Sequence, residues 1–193
     1  GKVALAAVGA STPIINMLIG FFMGISTGAG VVIAQFFGAG NTCKMKRAIH
    51  NSIALTLVMG VVLTIVGLLF NDPILKAIGV PSEVFSEAST YLSIYFWSLI
   101  FVMVYNMGSG ILRSVGDSKR PLYFLIFSSV VNIILDFLFV KYFHFGVAGA
   151  GYATLIAQAI SAIMVMYVLM KTEDDYKVIL KEIGFDKEIL LKI

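Results

Sequence analysis

The chain alternates between long apolar runs and short polar breaks. No charged residue occurs between positions 3 and 43. About 20 residues cross a hydrocarbon core, so this first run has room for one span with an interfacial lead-in. Residues 3–12 are small and only mildly apolar, and Pro13 suits a first helical turn, which predicts a span over 13–37. Breaks at Gly38-Ala39-Gly40-Asn41, Asn71-Asp72-Pro73, 113–120 and 141–145 divide the rest into spans at 49–70, 90–112, 121–140 and 146–170. Residues 74–88, with Gly79, Pro81, Glu83 and Glu87, predict a loop with a short surface helix. Beyond residue 170 the pattern becomes charged and amphipathic, and 171–193 reads as a cytoplasmic surface or linker helix. The predicted fold class is all-α, a polytopic membrane bundle of five helices.

Composition agrees with that pattern. The chain is 59% hydrophobic and 13% charged, with a mean hydropathy of +0.96, whereas soluble domains are about 25% charged. A formal charge of +3 does not point to nucleic acid, because most of the cations sit in short loops and the tail. Lys44, Lys46 and Arg47, then Arg113, Lys119 and Arg120, then the tail alternate with the acidic stretch holding Asp72, Glu83 and Glu87. The positive-inside rule places the basic loops in the cytoplasm, so the N-terminal end starts outside and the C-terminal end is cytoplasmic. An uncharged outside start without a signal peptide leads us to expect a preceding helix, with this chain an internal piece of a larger protein. Gly20, Gly24 and Gly28 form a row suited to close helix approach.

Candidate chemistry is confined to few positions. The lone Cys43 excludes an internal disulfide. His50 and His144 flank spans at opposite sides, so a solvated ring is expected for each. No Ser-His-Asp order, zinc motif or phosphate-binding loop is present, and no enzyme is expected. The exception to this apolar monotony is the run Ser128-Ser129-Val130-Val131-Asn132-Ile133-Ile134-Leu135-Asp136. Asn132 and Asp136 are four apart and share a helix face, with Ser128 one turn back. A carboxylate at membrane depth costs at least ~2.5–3.5 kcal/mol, and the spans offer no Lys or Arg to neutralise it. Thr154, Gln158 and Ser161 form a matching stripe on the fifth span. Counted from the middle of the 141–145 connection, Asn132 and Thr154 each lie about 11 residues away, some 16 Å down the helices at ~1.5 Å per residue. Two stripes of oxygen ligands at one level suit a hard cation such as Na⁺, held by Asp136, Asn132 and Thr154, or a proton held on one acid. Tyr91 and Asn106 are weaker candidates, since a Tyr near a helix end can be an interfacial anchor and an intramembrane Asn can be helix glue.

These residues resemble a known family. The segments GKVALAAVGAS, GAGVVIAQFFGAGN, GILRSVGDSKRPL, VVNIILDFLFV and GVAGAGYATLIAQ, in that order, are similar to the multidrug and toxic compound extrusion (MATE) transporters. The resemblance implies a twelve-helix protein of two six-helix lobes, in which these five helices are helices two to six of the first lobe. It implies an antiporter of the plasma membrane that exports cationic, amphipathic compounds in exchange for Na⁺ or H⁺, with no other cofactor. Its partners would be the bilayer, the missing first helix and C-terminal lobe, and cationic small molecules. By motif, Asn132, Asp136 and Thr154 match the cation site, and the Ala150 carbonyl may be counted with them. Tyr91 and Asn106 match polar positions of the cavity wall, which Gln158 would extend. Two alternatives remain: a lipid-linked oligosaccharide flippase, for which Arg or Lys in the spans is expected, and a non-transporting membrane scaffold subunit. Changing Asp136 separates them from the first reading.

Overall fold

The structure, a computed structural model, describes residues 2–191, with side chains from Ala6 onward. Its elements are α1 (Lys2–Gly38), α2 (Thr42–Ala77), α3 (Ser82–Ser114), α4 (Lys119–Asp136) and α5 (Gly146–Lys171), followed by the short α6 (Lys187–Leu190). No strand occurs among the described residues. Five helices are long and apolar enough to cross a membrane. This is an all-α, multi-pass membrane fold.

The helices outrun the predicted spans, and proline explains the difference. Pro13 lies inside α1 and Pro73 inside α2 rather than at their ends. In a membrane, helices tolerate proline because serine and threonine re-satisfy freed backbone groups. Just before Pro13, Ser11 and Thr12 donate to the carbonyls of Ala7 and Val8 at 3.1 and 3.0 Å, hydroxyl bonds made within the helix itself. The expected lead-in at 3–12 is therefore helix, and the expected 74–88 loop shrinks to a turn around Gly79 between Ala77 and Ser82.

The three tight connections share one closure. At Gly40, Gly79 and Gly116, all with positive φ, a following N–H reaches back to a carbonyl five residues earlier: Asn41 to Phe36, Val80 to Leu75, Asp117 to Leu112. That is the left-handed glycine stop which satisfies a helix's last carbonyls. Asn41 then caps α2 by accepting from Lys44 N–H at 3.1 Å.

α3 is the central helix, packed on α1, α2 and α5, while α4 leans on α5 and scarcely meets α3. Close approach depends on glycines of α2, α3 and α5, and in the row expected in α1 on Gly30, which continues it and whose Cβ position lies 3.7 Å from the Gly110 carbonyl of α3. Gly20 and Gly24 have nothing within 4 Å of a Cβ position, whereas Gly67 lies against the Phe96 ring and Gly108 against Val165. One apolar cluster, including Phe22, Leu75, Leu92, Phe96 and Leu99, fills the bundle toward the α2–α3 turn. A second, including Ile33, Ile49, Ile111, Val165 and Leu169, fills the opposite, basic end.

The tail departs most from expectation. Instead of an amphipathic surface helix, residues after Lys171 run as an irregular strap with a 3₁₀ turn at Leu180–Glu182 and only the one-turn α6. Tyr176, Val178 and Ile189 enter the basic-end cluster, and a fully buried aliphatic side chain contributes ~1.5–3 kcal/mol. Packing against α2 has replaced the helix's own hydrogen bonds. The last two residues of the expected linker lie outside the described residues.

Candidate cation site

Small residues bring three elements together near the α2–α3 end. α4 ends at Asp136 and continues as a π-helical turn, Phe137–Tyr142. That turn presses on the start of α5: a Cβ at Gly149 would stand 3.1 Å from those of Phe139 and Phe145. Gly151, two residues on, would meet Ile94 Cδ1 of α3 at 3.1 Å. Larger residues at either position would hold these helices apart. π turns inside helices recur at functional sites, and this one begins directly after the acid.

Asn132 and Thr154 meet as their spacing predicts. With Ser128, Ser129, Ala157 and Gln158 they line one cavity of about 70 Å³ between α4 and α5. Asp136 sits a turn beyond that cavity, half-buried. Tyr91 lies early in α3, toward the α2–α3 end of the bundle. Asp136 Oδ1 and Asn132 Nδ2 are both buried and lack any hydrogen-bond partner. Thr154 Oγ1 donates to the Ala150 carbonyl at 3.0 Å, so that carbonyl already serves the hydroxyl. Ser128 and Ser161 likewise donate to carbonyls of their own helices, Leu125 and Gln158.

Asn106 stands elsewhere. It is 15 residues from Tyr91 along α3, about 22 Å of helix. Its amide donates to Val102 O at 2.8 Å, while its carbonyl accepts from Ser26 at 2.7 Å. In this structure Asn106 helps hold α1 to α3.

The polar groups near this end are one carboxylate, an amide, a hydroxyl and a peptide carbonyl, and among the described residues no three His, Cys, Asp or Glu side chains converge. Oxygen ligands of this kind suit alkali and other hard cations rather than zinc or copper. A buried carboxylate oxygen without a donor also has room for a proton of its own.

Two features lay beyond the sequence pattern. His50 is not solvated: it is 3% exposed, roofed by the strap. Asn71 donates to Ser89 O, Ser89 Oγ and Ser93 Oγ, tying α2 to α3 across their turn. An Asn beside Asp and Pro reads as a break, which concealed this role.

The five membrane-length helices define a multi-pass membrane class of protein, and comparison with known proteins gives its family. Residues 1–138 match the MatE family model, and the chain belongs to that family. It is 34% identical over 198 residues to the probable multidrug resistance protein YoeA of Bacillus subtilis (strain 168), covering 99% of this chain and 43% of the relative. An inward-facing multidrug resistance MATE family transporter superimposes with a TM-score of 0.93 at 30% identity, covering 100% of this chain and 44% of that one. The outward-facing form gives 0.92 at 30% identity, covering 100% and 43%. The chain thus spans less than half the length of these relatives.

Proposed function

We propose that this chain is part of a cation-coupled exporter of cationic, amphipathic compounds, with Asp136 as the coupling acid. The observation that carries the reading is the buried, partnerless Oδ1 of Asp136, one turn from the buried, partnerless Nδ2 of Asn132. Buried polar atoms are nearly always hydrogen-bonded, and exceptions ask for a reason. For the Asp136 oxygen, an ion or proton that comes and goes supplies one; the Asn132 Nδ2, a donor, ligates no cation, and only the amide oxygen could serve there. In this reading Asp136, Asn132 and Thr154 hold Na⁺ through oxygen, or Asp136 alone takes H⁺. Filling the site discharges the carboxylate and lets the surrounding helices relax around it, which is how ion binding shifts a two-state transporter.

The resemblance to multidrug transporters supports the export of drugs, and the lack of Lys or Arg in the spans supports positively charged cargo. The alternating basic and acidic connections support a plasma-membrane orientation with the N-terminal end outside and the C-terminal end in the cytoplasm. Segments equivalent to the remainder of the relatives complete the cavity. The test is Asp136→Asn in the full natural chain, reconstituted in vesicles under imposed Na⁺ or pH gradients. Insertion should survive, and ion-driven efflux of a fluorescent cation should fall to the level of empty vesicles. Unchanged efflux rules out the coupling role; applying the two gradients separately identifies the ion.

A further inference from the structure

At the basic end, three residues of α2, Arg47, His50 and Asn51, grip the strap. Arg47 Nε donates to Asp186 Oδ2 at 2.6 Å. Asn51 makes a reciprocal pair with the Asp186 backbone, donating to its carbonyl and accepting from its N–H, both at 3.3 Å. Between them His50 bridges two backbone groups whose roles are fixed. Nδ1 lies 2.7 Å from the Lys46 carbonyl, which can only accept, so Nδ1 carries hydrogen. Nε2 receives the Ile179 N–H at 2.9 Å, which can only donate, so Nε2 carries none. The ring in this arrangement is neutral, and its tautomer follows from its partners.

We propose that His50 is a proton-operated latch that releases the strap from α2. Protonating Nε2 puts a hydrogen against the Ile179 N–H, so that bond cannot persist. An acceptor for the charged ring stands close by: Glu182 Oε2 lies 3.9 Å from Nε2 on the exposed 3₁₀ turn. Protonation therefore exchanges a buried backbone bond for an ion pair, and the 179–182 segment shifts to make it.

The other charges around the ring are already committed. On α2, Lys46 pairs with Asp175 at 3.6 Å and Arg47 with Asp186. α1 carries no charged side chain among its described residues, and Arg113 of α3 lines a separate cavity between α1 and α3. Cys43 shares with His50, Glu182 and Asp186 a cavity of about 390 Å³, which gives the turn space to move. Histidine is the side chain whose ordinary charge change falls between pH 5 and 8. The latch is closed while the ring is neutral and open once Nε2 carries a proton.

The experiment is hydrogen exchange by mass spectrometry on the full chain in lipid nanodiscs, following the peptide 176–183 from pH 8 to pH 5. Dividing each rate by that of His50→Gln at the same pH removes the chemical pH dependence of exchange. Gln keeps a neutral acceptor for Ile179. We expect wild-type protection to fall at least ~10-fold relative to this variant, one factor of ten being 1.4 kcal/mol. Protection that stays constant, or falls equally in His50→Gln, overturns the latch. Should His50→Gln fail to dock at pH 8, Glu182→Gln decides. It keeps the ring and removes the negative charge that would pair with it, so the wild-type midpoint must move to lower pH; an unmoved midpoint overturns the proposal.

Discussion

Asp136 Oδ1, buried without a donor, makes the acid a stability cost as well as a functional group. Removing a charge from membrane depth recovers part of the ~2.5–3.5 kcal/mol that a central Asp costs on insertion scales. Asp136→Asn should therefore match or exceed the wild-type melting temperature in detergent while losing ion-driven efflux; a clear drop in melting temperature would show that the carboxylate holds the helices instead. Thr154 makes a finer test. Its hydroxyl bonds only to Ala150 O within its own helix, so Thr154→Val should cost less than about 1.5 kcal/mol of stability. In the Na⁺-coupled case it should raise the Na⁺ concentration needed for half-maximal efflux. The pairing of Asn132 with Thr154 was legible in the chain because antiparallel helices joined by a short turn place equal counts at equal depth. The burial of His50 was not, because the group that covers it, Ile179, lies 129 residues further on.

At the scale of the helices, packing rests on particular glycines, and their effects should differ sharply. A Cβ at Gly67 would fall 2.2 Å from Phe96 Cδ1 and 2.6 Å from Cγ, and Phe96 is 2% exposed, with little room to swing. Gly67→Ala should cost ~1–3 kcal/mol, as overpacking does. Gly20→Ala meets nothing within 4 Å and should be neutral or slightly stabilising, by up to ~1 kcal/mol of helix propensity. Parallel thermal melts distinguish them, and equal effects would contradict the packing described. The glycine spacing in α1 looked like a contact motif because spacing alone does not say which face meets a neighbour. Helix ends were misplaced for a related reason: Pro13 and Pro73 break helices in water, and the membrane spares them.

The whole molecule joins a five-helix bundle to a folded strap, and acid acts on that join in two stages. Burial pushes the Asp186 carboxyl up, but the Arg47 hydrogen bond, the Ile189 N–H and the Arg47 charge together hold it below the usual carboxylate range. A carboxyl lowered on folding contributes stability above its unfolded value, ordinarily about 3.9, and loses it as pH falls through the lowered value. Hydrogen exchange of the peptide 176–183 should therefore show a second acid step below about pH 4 that survives in His50→Gln. Arg47→Gln should remove that lower step. The bundle itself matches inward- and outward-facing relatives equally well, at 0.93 and 0.92. Five spans, their order and the polar pair could be read from hydropathy and charge. The strap's course could not, since its apolar residues find partners on α2 and α5 instead of forming a helical face.

The π turn after Asp136 also sets where the chain tolerates a change of length. Each residue added to an α-helix turns everything beyond it by about 100°. A π turn already holds surplus chain, so deleting one residue within Phe137–Tyr142 can be absorbed by rewinding to α. Asp136, lying before the turn, would keep its bearing relative to Asn132. Deleting one residue between Asn132 and Asp136 instead swings the acid out of phase with the amide and into lipid. The turn is a slip joint, and the carboxylate sits on its fixed side.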